Sequence, residues 1–80
     1  VKLTVGTVTP VLVPVPEGSD SVLIQNLGTG SIYVDGNSAV TTATGVKIAT
    51  GTNLVVSSPN NVGELFLISD AASTDVRYVA

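Results

Sequence analysis

Eighty residues, 44% hydrophobic and only 11% charged, make one small domain with a net charge of −3. Cysteine and histidine are absent, which excludes disulfide staples, thiol or imidazole nucleophile systems and the usual zinc and haem ligand sets. The three basic residues, Lys2, Lys47 and Arg77, are scattered against six acids, so no nucleic-acid partner is expected.

A domain of this size buries only about 60% of its unfolded surface. Without disulfides or a structural metal, oligomerisation or docking on a larger partner is the expected source of extra stability. The charged fraction falls well below the roughly 25% of an average soluble domain, and mean hydropathy is positive. Part of the surface is therefore expected to be turned away from water. No apolar run approaches the roughly 18 residues of a membrane helix, so no membrane partner is expected. Lys2 is not followed by an unbroken apolar run, so no signal peptide is read. No methionine occurs anywhere, and an initiator Met is expected to have been removed or left out of the structure.

Fifteen valines and ten threonines bias the chain towards strands. Residues 1–16, VKLTVGTVTPVLVPVP, form an extended Pro-rich segment. Pro10, Pro14 and Pro16 share one parity, so in a strand their missing N–H donors fall along one edge. Val11, Val13 and Val15 share the other parity and keep their donors for pairing, with their side chains on one face. The segment reads as an edge strand that refuses a further neighbour, or alternatively as a polyproline-like arm reaching another subunit. Residues 17–80 are read as the sandwich core of the same single domain.

Glu17–Asp20 is a polar turn. In Ser21–Gly36, SVLIQNLGTGSIYVDG, two apolar runs flank Asn26-Leu27-Gly28-Thr29-Gly30. Asn and Gly supply the positive-φ positions of a reversal, so a β-hairpin with an enlarged loop is predicted. Its core face is Val22, Ile24, Ile32 and Val34, with Tyr33 opposite. Residues 37–45 read as a long loop with a short strand near Val40, and Val46–Ile48 as a strand with Lys47 outward. The tripeptide Ala-Thr-Gly recurs at 43–45 and 49–51; two copies are too few for a solenoid and are read as paired turns. Asn53–Ser58 is the next strand, stopped by the turn signal Ser58-Pro59-Asn60-Asn61. Leu65–Ile68 is apolar on both faces and is expected to be central or covered by a partner. Ala71–Thr74 forms a turn, and Asp75–Val79 closes the chain with Val76 and Tyr78 on one face. About seven short strands with regular turn signals predict a small antiparallel β-sandwich or barrel without a substantial helix.

No chemistry rises above this frame. Serines lack a histidine or cysteine partner, and Lys2 and Lys47 sit in no recognisable motif. Gly28-Thr29-Gly30 leads into a strand, whereas phosphate-cradling loops lead into a helix. Asp35-Gly36-Asn37 begins like a calcium loop, but Gly takes the second position and no Glu closes it. Asp70 and Asp75 are read as caps of the Ala71–Thr74 turn rather than as a carboxylate pair. Tyr33, Phe66 and Tyr78 are the three aromatics; core packing is their default reading, and any left exposed is an interface anchor. No catalytic, cofactor or metal site is expected, and the chain is read as no enzyme.

From Pro10 onward the sequence resembles small virion surface proteins of tailed bacteriophages, the capsid decoration, cement and head-fibre-like β-sandwich proteins. The resemblance is carried by Asn26, Leu27, Gly28, Gly30, Ile32, Tyr33, Val34 and Gly36, then by Thr41, Thr44, Gly45, Ile48 and Gly51, then by Leu65 to Arg77. It implies a non-enzymatic structural protein, made in the host cytoplasm, that oligomerises, as a trimer, and docks on the major capsid protein at the outer capsid surface. The alternative is a receptor- or glycan-binding module of a phage tail or fibre. Candidate interface residues are Val11, Val13, Val15, Tyr33, Phe66 and Ile68.

Overall fold

The computed structural model describes residues 1–57 and 64–80. Strict alternation of exposed and buried residues along Ser21–Asn26 marks a strand with one wet face, and the same period recurs through the chain. Eight strands result among the described residues: β1 (Lys2–Val5), β2 (Val11–Val13), β3 (Ser21–Asn26), β4 (Ile32–Asp35), β5 (Val46–Ile48), β6 (Asn53–Ser57), β7 (Leu65–Ser69) and β8 (Thr74–Val79). They form two four-stranded antiparallel sheets, ordered β1-β8-β3-β6 and β2-β7-β4-β5. No helix occurs among the described residues, and the all-β sandwich predicted from the sequence is the fold. The turn expected at Ser58–Asn61 lies outside the described residues.

Consecutive strands β1/β2, β3/β4, β5/β6 and β7/β8 occupy matching places in the two sheets. This is the strand order of an eight-stranded jelly roll, in which the chain arches between sheets at most links. Among the described strands, only β4 and β5 are neighbours both in sequence and in a sheet.

The arch corrects the predicted hairpin at Ser21–Gly36. β3 pairs with β6 and β8, while β4 pairs with β5 and β7. Hairpin and arch share the same alternation, because in both cases one face of each strand points into a core. Val22, Ile24, Ile32 and Val34 do form that core, together with Val5, Val13, Ile48, Leu65, Leu67 and Val76. Every member is aliphatic. Tyr78 packs against the cluster from one side, but Tyr33 and Phe66 lie on the outer face, so the core-packing default fails for those two. Strand parity decides this, since their neighbours Ile32, Val34, Leu65 and Leu67 take the inward positions.

Residues 1–16 hold two strands rather than one continuous element. β1 edges the first sheet beside β8, and β2 edges the second beside β7. Strand Leu65–Ser69 is central, between β2 and β4. No strand forms at Val40; this residue is instead buried in the β4–β5 connection, where its N–H donates to the Asn37 carbonyl. Both Ala-Thr-Gly copies lie in turns, closed by Gly45 N–H to Thr41 O and Thr52 N–H to Ala49 O. Their glycines serve different ends. Gly51 has φ 78°, the left-handed region, whereas a Cβ on Gly45 would stand 2.7 Å from the Tyr33 Cβ.

Candidate functional site

The β3–β4 arch, one of the three stretches on which the resemblance rests, is built around one buried amide. Asn26 is fully buried at the end of β3. Its Nδ2 donates to the Gly30 carbonyl at 2.8 Å and to the Ile48 carbonyl at 2.9 Å, while its Oδ1 accepts the Gly28 N–H at 3.0 Å. These partners fix the orientation of the amide, tie the arch to itself and bind it to β5 of the opposite sheet. Buried polar groups persist only when bonded in this way. Gly28 and Gly30 do not supply positive φ, contrary to the sequence reading; only Gly18, Gly51 and Ser73 do among the described residues. They are needed for close approach. A Cβ on Gly28 would strike the Thr74 methyl and stand 2.9 Å from the Asp75 nitrogen, and one on Gly30 would come within 2.5 Å of the Ala71 Cβ.

The β7–β8 turn that the arch packs against is capped by hydroxyls, which corrects the role given to Asp70 and Asp75. The Ser69 and Thr74 hydroxyls lie 2.6 Å apart, Thr74 Oγ1 donates to the Ala71 carbonyl, and Ser69 Oγ accepts the Ala71 N–H. Each hydroxyl also has a carbonyl acceptor of its own, Ala71 for Thr74 and Ser31 for Ser69 at 3.3 Å, so either can donate in the short bond. Asp70 instead accepts the Ser31 N–H across to the arch at 2.8 Å. Asp75 turns outward and takes both Nε and Nη2 of Arg77, at 3.1 and 3.3 Å. The hydrogen bond from Arg77 holds the Asp75 carboxyl below its ordinary value of 3.8, with further help from the charges of Arg77 and Lys2. Asp35 Oδ1 accepts its neighbour Gly36 N–H, and Asn37 Oδ1 accepts the Ala39 N–H, so both would-be calcium ligands are engaged in local turns.

These side chains are committed to bonds within the fold, which leaves the outer faces of the two sheets. Tyr33, Phe66 and Ile68 share the outer face of the second sheet. Tyr33 is registered between Ile68 and Lys47, and Phe66 between Leu12 and Asp35. Leu12 is 42% exposed and Ile68 only 6%. The structure therefore brings three of the six candidate interface residues together. Val11, Val13 and Val15 are separated from them: Val13 belongs to the core, and Val11 and Val15 pack against it.

The outer face of the first sheet was missed by sequence reasoning. Val55, Leu23 and Val79 stand side by side on β6, β3 and β8 and are all exposed. Asn53, Gln25, Arg77 and Lys2 form the next row. The two basic residues that looked scattered in the sequence are thus cross-strand neighbours, with Asp75 beside them. A depression of about 140 Å³ is lined by Leu23, Gln25, Arg77, Tyr78 and Val79, below the roughly 300 Å³ at which small-molecule sites begin. Alternation in Val22-Leu23-Ile24 could have placed Leu23 outward; its meeting with Val55 and Val79 depends on a strand order that alternation does not encode.

Comparison with known proteins finds no matching family model, no matching curated protein and no matching solved structure.

Proposed function

We propose that this chain is a non-enzymatic structural protein that assembles with copies of itself and docks on the outer face of a bacteriophage capsid, contacting the major capsid protein. The observation that carries the reading is the outer face of the second sheet, where Leu12, Tyr33 and Phe66 lie together, flanked by Lys47 and Asp35. Aromatic side chains left partly exposed beside an aliphatic core are the residue types that anchor protein interfaces. Jelly rolls also recur in viral capsid and lectin domains, a fold-level analogy that agrees with the sequence resemblance without assigning a site.

The experiment mixes purified protein with capsids that lack this chain and pellets them. Co-sedimentation at micromolar protein, lost in Phe66→Glu and Tyr33→Glu and kept in Thr4→Lys on the opposite sheet, is the expected result. Protein that stays in the supernatant sinks the proposal.

A further inference from the structure

Each sheet ends in two edge strands, and an edge is a row of unpaired N–H and C=O groups ready to accept another strand. Three of the four edges here are blunted. On β7, the Asp70 N–H bonds to Ser31 and the Ser69 N–H to Gly6; by alternation Leu65 and Leu67 bond Val13 and Val11, which leaves Pro10, Leu12 and Pro14 along the free side of β2. Proline there removes donors. β5 is three residues long with Lys47 at its outward position, and β1 presents Lys2 and Thr4. The fourth edge, β6, has neither defence. Its five residues, NLVVS, include no charge and no proline.

The direction of the β6 groups follows from the bonds at its start. Asn26 N–H donates to Thr52 O and Asn26 O accepts the Gly51 N–H, so the even residues of β3 face β6 and bond Leu54 and Val56. Leu27 N–H to Asp75 O sets the odd residues towards β8, which agrees. Asn53, Val55 and Ser57 therefore aim their backbone groups outward, and no hydrogen bond among the described residues reaches them.

We propose that β6 is a self-association edge, on which a second copy of this chain adds its own β6 antiparallel about a two-fold axis through Val55. Outward groups at the first, third and fifth positions make the strand symmetric about its middle, so it complements itself. In this register Val55 faces Val55 of the second copy, Asn53 faces Ser57, and all three outward residues are bonded. The first sheet becomes eight-stranded. The exposed row Val79–Leu23–Val55, at 61%, 36% and 57% exposure, continues unbroken into the same row of the second copy. A chain of net charge −3 meets itself here along a strand that carries no charge. The interface is isologous and closes at two copies. It does not depend on capsid docking, and it gives dimers where the sequence resemblance implies trimers.

Sedimentation equilibrium of the purified chain tests it. The expected mass rises from 8.0 kDa towards twice that value between micromolar and millimolar concentration. Val55→Lys sets two like charges together at the axis and is expected to weaken association by about 100-fold or more, whereas Thr4→Lys on β1 leaves it unchanged. The chain has no cysteine, so Val55→Cys carries a lone thiol. Opposed residues of a hydrogen-bonded pair stand about 5.5 Å apart at Cα, within disulfide reach, and this variant is expected to oxidise to a covalent dimer much faster than Thr4→Cys. A monomer at millimolar concentration, a trimer, or association that survives Val55→Lys overturns the proposal. If Val55→Lys fails to fold by circular dichroism, equal cross-linking rates for the two cysteine variants overturn it instead.

Discussion

Asn26 shows how one side chain can hold an arch that local propensity does not specify. A strand that leaves one sheet for the other must bury the backbone of its connection, and the carbonyls of Gly30 and Ile48 meet the Asn26 amide there. Asn26→Ala leaves both carbonyls and the Gly28 N–H without this partner, and the expected loss is about 3 kcal/mol of unfolding free energy. That is a large share of the roughly 4–12 kcal/mol typical of 80 residues, and urea denaturation would measure it. Asn26→Asp is expected to be worse at neutral pH, since a carboxylate has no proton for two carbonyls. Burial there raises the folded pKa of the new acid above the unfolded value of about 3.9. Its stability is then retained below that value and falls as pH rises, so the gap to wild type widens between pH 3 and pH 7. Native Asp75 has the opposite sign. Its folded pKa is depressed, so the Arg77 pair contributes above the unfolded value and its contribution fades as pH falls through the folded one. Thermal melts of wild type and Asp75→Asn should differ slightly at pH 7 and converge at the acid end; a gap that grows in acid would contradict the pairing.

At the scale of elements, the β3–β4 arch and the β7–β8 turn form one unit, pressed together where glycine is required. A methyl group on Gly28 would overlap Thr74 and crowd the Asp75 nitrogen. Gly28→Ala is therefore expected to destabilise by about 1–3 kcal/mol, whereas Gly6→Ala, which meets nothing within 4 Å, should be close to neutral; chemical denaturation of the two variants side by side would show the difference. Much of the element structure was legible in the chain. Alternation marked Ser21–Asn26 and Ile32–Asp35, and the two-faced run Leu65–Ile68 announced a central strand. Which sheet each strand joins was not legible, because a hairpin and an arch place the same residues inward. The break between β1 and β2 was hidden for a related reason: the chain bends at Thr7, Val8 and Thr9 as it changes sheets, yet all three are β-branched residues that favour strands. Tyr33 could be set opposite the core by counting, but its grouping with Phe66 and Ile68 required the β4–β7 register.

For the molecule as a whole, strand order governs how the fold can form. The two ends of the chain meet: Lys2 is registered with Arg77, Val5 with Thr74, and the Val1 amine donates to the Tyr78 carbonyl. Among the described strands, only the β4–β5 pair can zip from a local reversal. Every other pairing must close a long loop before any contact offsets the entropy of closure. Two consequences follow from this arrangement. Folding should take milliseconds to seconds, as for other β-sandwiches, and stopped-flow tyrosine fluorescence or circular dichroism would follow it; relaxation in microseconds would be incompatible with the topology. Conservative substitutions in β4 and β5, such as Ile48→Val, should slow folding in proportion to their destabilisation if this hairpin nucleates the fold, whereas Val5→Ala in β1 should act mainly by speeding unfolding. The β1–β8 pairing joins the two ends of the chain, so β1 is expected to dock late and leave the edge of β8 open in partly folded chains. β8 and β6 flank β3 in the same sheet, so intermediates would expose two unprotected edges where the native chain exposes one. Refolding yield is therefore expected to fall with protein concentration more steeply than native self-association alone would predict, and removal of residues 1–5 should make that loss permanent by exposing both β8 and the core position vacated by Val5.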